Sequence, residues 1–464
     1  MLFSSMSFVF AFLPLVLLLY YLCHTRRARN GVLLLASIVF YGWGEPKYLL
    51  VMLISMILTW GAGLLIARGK RKLLWLVLTV LLDLGILIYF KYTNFLLENI
   101  SAVLNHQLDP IHVVMPIGIS FYTFQAISYL VDVYRGDVQV QKNLYKVMLY
   151  ISLFPQLVAG PIVKYHDIAL QIDGRKETLS DFSLGLRRFI VGLSKKMLIA
   201  NTMGAVADKI FTLPVEQFDP STAWIGAIAY AFQIYYDFSG YSDMAIGLCL
   251  MFGFRLPENF NYPYISASIT EFWRRWHISL STWFKEYLYI PLGGNRVSRK
   301  RNLFNLFVVF LATGIWHGAS WNFVVWGLWH GLFIIVEKVT GWHRKQLGWF
   351  LNSIRHISTL MIVLIGWVFF RADSFAYGCD YVANMFGLVS EAQSYAPFGY
   401  FMDRFSLLML VVAIALSMPW ARNMIREQKM IPGIAVDFWL VFLFLCSWTT
   451  IAASTYNPFI YFRF

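Results

Sequence analysis

The sequence predicts an all-α protein that crosses the membrane many times. Of its 464 residues, 59% are hydrophobic and only 14% are charged, a composition that excludes an ordinary soluble domain. Several apolar runs reach or approach the ~20 residues that a helix needs to cross a bilayer. These runs are continuous rather than alternating, which favours helices over a closed β-barrel. We find no internal repeat and no long hydrophilic stretch, so we expect one membrane-embedded domain over residues 1–464.

The apolar runs predict the positions of the individual spans. They fall near 8–23, 31–43, 47–67, 73–90, 113–133, 145–163, 189–212, 222–253, 303–316, 323–338, 357–370, 405–420 and 435–453. The first run lacks a basic leader and a small-residue cleavage site, so we expect a retained span and not a signal peptide. Segments 31–43, 145–163 and 303–316 are expected to be tilted, re-entrant or half-spans.

The charge distribution predicts the membrane topology and the cysteine pattern argues against a metal site. The net charge is +13, and its surplus lies in short clusters at 26–29, 68–72, 296–301, 343–345 and 422–429. Loops rich in Lys and Arg stay cytoplasmic. With each of these clusters on the cytoplasmic side, the C-terminus after the last span is predicted to be extracytoplasmic. Such clusters indicate topology and attraction to anionic lipid in a bilayer, not binding of nucleic acid. The four cysteines show no CxxC pairing or metal-ligand spacing, so we expect no metal site.

Residues 254–302 are less hydrophobic than their surroundings but remain rich in aromatic side chains. Ser268 and Glu271 have the spacing of a capping box, in which each side chain bonds to the backbone of the other. The apolar residues that follow recur at helical spacing at positions 273, 276, 280, 283 and 287. With basic residues on its flank, this stripe predicts a helix that lies at the membrane interface.

Two further segments each admit two interpretations. Residues 289–296 (YIPLGGNR) must turn sharply at Pro291 and the two glycines. The backbone amides of that turn either receive an anion beside Arg296 or only reverse the chain, and the second interpretation is favoured. Residues 236–243 (YDFSGYSD) place carboxylates within an apolar run. There Asp237 either orients a catalytic histidine or closes a structural network.

His317 is the strongest candidate for a catalytic residue. It lies deep in the apolar run that starts at Leu303, where an ionisable side chain is usually retained for a task. Gly314 and Gly318 flank it and allow neighbouring helices to approach closely, which favours a dry site with a neutral imidazole. His330 would point to a different side of a continuous helix unless residues 318–320 break it, and we expect it to be a satisfied interior histidine.

Five motifs, in this order, resemble those of the membrane-bound O-acyltransferase (MBOAT) family. They are residues 236–243 (YDFSGYSD), 257–260 (PENF), 273–281 (WRRWHISLS), 289–296 (YIPLGGNR) and 316–318 (WHG). The resemblance extends to residues 1–5 (MLFSS), 116–121 (PIGISF) and 160–162 (GPI). Within the family, the chain is similar to the bacterial alginate and peptidoglycan O-acetyltransferases. The motifs concentrate in a core region at 230–340.

This resemblance implies a fold and a reaction. The fold would be a ring of helices around a thinned central funnel, with interfacial and re-entrant helices. His317 would be the catalytic histidine, and His277 a second essential residue near the cytoplasmic mouth. We expect the remaining site residues to be a supporting network of Asp237, Trp316 and Trp276, and an acyl-donor site formed by Arg274, Arg275, Arg296 and Asn295. No cofactor would be bound, because acetyl-CoA is the acyl-donor substrate.

The resemblance also implies partners outside the cytosol. The acetyl group would leave on the outer side of a bacterial inner membrane, toward a polysaccharide or peptidoglycan acceptor. A separate SGNH or esterase-like O-acetyltransferase would complete the reaction. The tail 455–464 ends in aromatic residues, and Tyr461 either carries the acetyl group to that partner or anchors the tail at the interface.

Two other functions remain open from the sequence. The first is transfer of D-alanyl or another acyl group from a carrier protein to a cell-envelope polymer. The second is a transporter in which His317 and Asp237 line a polar pathway. The transporter hypothesis is less favoured, because the chain lacks the duplicated halves with broken helices that many transporters show.

Overall fold

The computed structural model describes residues 1–158, 160–342, 345, 348–389, 392–419, 433–453 and 456. Within them every regular element is helical. Among these residues, six helices are long and apolar enough to cross a membrane: Pro46–Ala67, Lys72–Leu104, Leu179–Phe211, Trp321–Thr340, Trp349–Arg371 and Gly433–Ala453. This confirms the predicted class, an all-α protein with several membrane spans.

The chain divides into two compact units, of which the first comprises residues 1–189 and 241–257. Its helices are α1 (Phe8–Leu22), α2 (Arg26–Gly44), α3 (Leu49–Ala67), α4 (Lys72–Leu104), α5 (Ile119–Arg135), α6 (Leu144–Ser152), α7 (Phe154–Leu157), α8 (Tyr165–Gly174) and the start of α9 (Leu179–Ser194). The buried Phe3 stacks on Tyr241 with 4.6 Å between ring centroids. Residues 1–5 therefore belong to the core of this unit.

Two of the predicted spans differ from the helices of the first unit. Helix α4 has 33 residues, far beyond the predicted 73–90, because the polar residues that follow position 90 remain helical. Helix α6 has nine residues, which is ~14 Å at 1.5 Å per residue and too short to cross a bilayer. The chain leaves the helix at Leu153, so segment 145–163 is broken, as expected for a re-entrant or half-span.

The basic cluster at 26–29 has a local structural role in the first unit. Arg26 and Arg29 both pair with the buried carboxylate of Glu177, Arg29 at 2.8 Å. Burial alone would raise the pKa of Glu177, but its hydrogen bonds with Arg26 and Tyr20 lower that pKa to about 2. Part of the predicted positive charge is thus neutralised within the fold.

The second unit comprises residues 190–240 and 258–464. A π-helical turn, Lys195–Ala200, continues α9 into α10 (Asn201–Phe211). The remaining α-helices are the part of α11 (Pro220–Met251) up to Gly240, α12 (Ile269–Arg275), α13 (Ile278–Phe284), α14 (Arg299–His317), α15 (Trp321–Thr340), α16 (Trp349–Arg371), α17 (Phe375–Met385), α18 (Phe398–Phe401), α19 (Arg404–Leu416) and α20 (Gly433–Ala453).

The interfacial helix predicted after Ser268 is two helices, so the prediction of one continuous stripe was wrong. The capping box does start α12: Glu271 N–H donates to Ser268 Oγ at 3.0 Å, although the Glu271 carboxylate accepts from Ala267 rather than from Ser268. Helix α12 ends before His277, which has a left-handed backbone with φ of 44°. This conformation costs about 1–3 kcal/mol for a non-glycine residue and interrupts the helical register.

Helices α14 and α15 form a close hairpin. A Cβ atom at Gly314 would overlap the carbonyl oxygen of Phe323, and one at Gly327 would lie 2.5 Å from the carbonyl oxygen of Phe310. The two backbones can approach this closely only because neither glycine has a side chain. Residues 318–320 break the helix between His317 and Trp321, and Ser320 caps α15 by accepting from Asn322 N–H.

We predict that Gly314→Ala lowers the melting temperature, because the new methyl group must push α15 away from α14. The matched control is Gly61→Ala in α3, where a Cβ meets nothing within 4 Å. That control is expected to be neutral or stabilising by up to about 1 kcal/mol. Thermal unfolding of the two variants in detergent measures the difference, and equal melting temperatures would contradict the packing described for the hairpin.

Candidate active site

Three buried histidines lie along one wall of aromatic rings in the second unit. The ring centroids of His277 and His317 are 6.5 Å apart. The Trp326 ring lies 4.8 Å from His317 and 5.3 Å from His330. The two histidines singled out from the sequence are therefore neighbours, although 40 residues separate them along the chain.

The tautomer of His277 follows from its hydrogen bonds. Its Nδ1 lies 3.2 Å from Oδ1 of Asn259, and the same oxygen accepts from the backbone N–H and the hydroxyl of Ser279. Because a backbone N–H can only donate, this oxygen is an acceptor, and His277 donates to it from Nδ1. Nε2 therefore carries a lone pair, and it has no hydrogen-bond partner among the described residues.

Burial also fixes the charge of His277. The side chain is fully buried, and this burial lowers its pKa to about 3. The ring is therefore neutral at physiological pH, with Nε2 as a hydrogen-bond acceptor. Main-chain bonds hold the strained junction in place, since Ile278 N–H donates to Asn259 O and Asn261 N–H donates to Arg275 O, both at 2.9 Å.

His317 is the last residue of α14 and is 4% exposed. Its ring packs against Trp316 at 4.9 Å, Trp326 at 4.8 Å and Phe370 at 5.3 Å. The close hairpin of α14 and α15 thus brings Trp326 onto His317. The flanking glycines predicted this tight packing around the imidazole.

The expectation of a satisfied His330 was wrong. The break at residues 318–320 removes the continuous helix on which its direction was estimated, and His330 shares the Trp326 ring with His317. Its side chain is fully buried, yet neither ring nitrogen has a hydrogen-bond partner among the described residues.

Trp276 and Trp316, the predicted aromatic supports, both lie in this wall. The Trp276 ring stacks on Phe272 at 5.6 Å and contacts Trp367 at 4.8 Å. The Trp316 ring is 6.3 Å from His277. A carboxylate that sequence reasoning missed holds the start of α12: Glu337 accepts from the backbone N–H groups of Ile269 and Thr270 at 2.6 and 2.9 Å.

Asp237 forms a buried ion pair with Lys196 at 2.6 Å, and both side chains are at most 3% exposed. This partner favours the network interpretation of Asp237. The next residue of the helix, Phe238, packs edge-on against His277 at 4.6 Å. Lys195 and Lys196 are adjacent cations within the predicted apolar span 189–212, and charged residues at such a position are a signal that could have identified Lys196.

The predicted donor-binding residues lie in different surroundings. Arg274 and Arg296 are exposed, whereas Arg275 pairs with Glu271 at 2.9 Å. Asn295 Oδ1 accepts from Tyr289 and from Lys338. The turn has positive φ at Gly293 and Gly294, and the amides of Gly293, Gly294 and Arg296 donate to backbone carbonyls. Because these amides are already paired, the turn is better explained as a reversal of the chain than as an anion site.

The predicted acyl carrier, Tyr461, lies outside the described residues.

We predict that Lys196→Met and Asp237→Leu are each destabilising, because either change leaves one charge buried without its counter-ion. The expected loss is about 3–5 kcal/mol for each single variant. The double variant Lys196→Met/Asp237→Leu should recover most of it, since apolar side chains can replace a buried pair. Melting temperatures of the four proteins form a double-mutant cycle, and additive losses would contradict the pairing.

Comparisons with known proteins agree with the motifs. Residues 137–372 match the model of the membrane-bound O-acyltransferase family. The chain is 41% identical over 492 aligned residues to the probable alginate O-acetylase AlgI of Pseudomonas putida, covering 100% of both chains. It is 36% identical to the peptidoglycan O-acetyltransferase of Helicobacter pylori, over 84% of this chain and 80% of that one.

A third relative is more distant. The teichoic acid D-alanyltransferase of Bacillus subtilis is 27% identical over 266 residues, covering 55% of this chain and 67% of its own. All three relatives are named as acyl-transferring enzymes, which favours an enzyme over a transporter. The chain belongs to the membrane-bound O-acyltransferase family and is a multi-pass membrane O-acyltransferase.

Proposed function

We propose that the protein passes an acetyl group from cytosolic acetyl-CoA across a bacterial inner membrane for O-acetylation of a polysaccharide or of peptidoglycan. The observation that carries the proposal is the pair of buried neighbours His277 and His317, 6.5 Å apart between ring centroids. The names of the relatives with high coverage support acetyl as the group and an envelope polymer as the acceptor.

His317 would be the general base of the reaction. A neutral imidazole takes the proton of the acceptor hydroxyl while that oxygen attacks the thioester carbonyl carbon. The C–S bond then breaks, and the imidazolium returns the proton to the departing thiolate of CoA. The neutral His277 would accept a hydrogen bond at Nε2 and so orient the hydroxyl or a water molecule between the two rings. Their centroid separation of 6.5 Å is too long for a direct hydrogen bond between the two rings.

The acyl donor would approach over the basic residues. Arg274 and Arg296 support a site for the CoA phosphates, because both are exposed and carry positive charge. Arg275 and Asn295 already have partners within the chain. Their contribution would then be to hold α12 and the turn at 293–296 in place, a narrower role than direct contact with the donor.

The acceptor side involves partners beyond this chain. We propose that the basic loops are cytoplasmic, that the C-terminus is extracytoplasmic, and that Tyr461 carries the acetyl group to an SGNH or esterase-like transferase. The aromatic composition of residues 457–464 supports the assignment of Tyr461.

The organisation of residues 1–464 as a single membrane-embedded domain remains a prediction.

The test uses radiolabelled acetyl-CoA and the purified protein in lipid nanodiscs, with release of CoA and label on the protein as readouts. His317→Ala is expected to lower CoA release by at least about 100-fold, the contribution of a general base. Tyr461→Phe should lose the label on the protein. His106→Ala, at an exposed loop position, is the control and should equal the wild type.

Two results would contradict the proposal. One is full CoA release by His317→Ala in a folded protein. The other is a wild type that ignores acetyl-CoA but accepts label from a D-alanyl carrier protein, which would favour the D-alanyl alternative that the 27% identical relative raises.

A further inference from the structure

Trp326, which contacts His317, belongs to a set of three polar side chains without hydrogen-bond partners among the described residues. His330 is fully buried, as is Trp326, and Trp273 is 7% exposed. Neither nitrogen of His330 and neither indole N–H of Trp273 and Trp326 has a partner among the described residues. The three rings are mutual neighbours, with centroid separations of 5.3 to 5.6 Å.

Such a set is unfavourable for the fold alone. A buried donor or acceptor without a partner costs about 1–3 kcal/mol, and most buried polar atoms in proteins are paired. Trp329, on the same helix, shows the ordinary arrangement, since its Nε1 donates to the carbonyl oxygen of Ile362 at 2.9 Å. Apolar side chains at positions 273, 326 and 330 would leave no unpaired polar atoms, so the polarity of these three residues favours a ligand that hydrogen-bonds to them.

The position of Trp326 indicates that the ligand oxygen is the carbonyl oxygen of the thioester. Its ring contacts both histidines, with centroids 4.8 Å from that of His317 and 5.3 Å from that of His330. A thioester carbonyl attacked beside His317 would therefore lie near the Trp326 indole. Acyl transfer places a negative charge on that oxygen, and preorganised donors in a water-poor site stabilise it strongly.

We propose that Trp326, with Trp273 and His330, forms the oxyanion-binding site of this acyltransferase; the inference rests on the proposed function. When the acceptor oxygen bonds to the carbonyl carbon, the C=O π electrons move to oxygen, which accepts hydrogen bonds from the N–H donors. The charge returns to re-form C=O as the C–S bond breaks, and the thiolate takes the proton held by His317. No additional reactant is needed.

Trp326→Phe and Trp329→Phe make a matched pair on α15, because each removes one indole N–H and a similar volume. We expect Trp326→Phe to lower kcat for CoA release by about 100-fold or more, with the KM for acetyl-CoA changed by less than about threefold. Trp329→Phe removes a paired donor outside the site and should leave kcat near that of the wild type. The loss of melting temperature in Trp326→Phe should be no larger than that in Trp329→Phe.

The outcomes separate the inference from the proposed function. A wild type that releases no CoA from acetyl-CoA overturns the proposed function and the inference with it. A working wild type with unchanged kcat in Trp326→Phe overturns the inference alone, as does a parallel fall of kcat and melting temperature in both variants. Should Trp326→Phe fail to fold, His330→Phe replaces it, and a folded protein with wild-type kcat would also overturn the inference.

Discussion

The contact between α14 and α15 at Gly314 and Gly327 is the constraint on which the candidate site depends. Since neither residue has a side chain, the two backbones come together. The short break at 318–320 then reverses the chain immediately after His317. The indole of Trp326 is carried onto the imidazole of His317, and His330 follows one turn later on the same helix. A wider hairpin would separate the ring of His317 from that of Trp326.

A second constraint holds His277 against this hairpin. The left-handed junction between α12 and α13 would be unfavourable alone, and the Asn259 side chain with its neighbouring backbone bonds offsets the strain. Glu337 fixes the start of α12 on α15, so the same helix that carries Trp326 and His330 also positions the segment that carries His277. The neutral state of His277 and its Nδ1–H tautomer follow from these contacts, and both suit a group that accepts a hydrogen bond from a substrate.

The sequence predicted the class of fold and the two principal histidines, because long apolar runs and ionisable residues within them are strong local signals. It did not predict the break at His277, since the positions of Trp273, Trp276, Leu280 and Trp283 agree with one continuous helix, and only the Asn259 contacts favour the interruption. The partners Lys196 and Glu337 were also missed, because they come from distant parts of the chain. His330 was misjudged because its direction depended on a helix that ends at His317.

The most direct test of this account is a cryo-EM structure of the protein in nanodiscs with acetonyl-CoA, a ketone analogue of acetyl-CoA that cannot transfer its acyl group. The account predicts that the ketone carbon lies within about 4 Å of the His317 ring, near the distance of a reactive complex, with its oxygen directed at the Trp326 indole. An analogue bound with its acyl end remote from His317, and with His277 and His317 untouched, would contradict it.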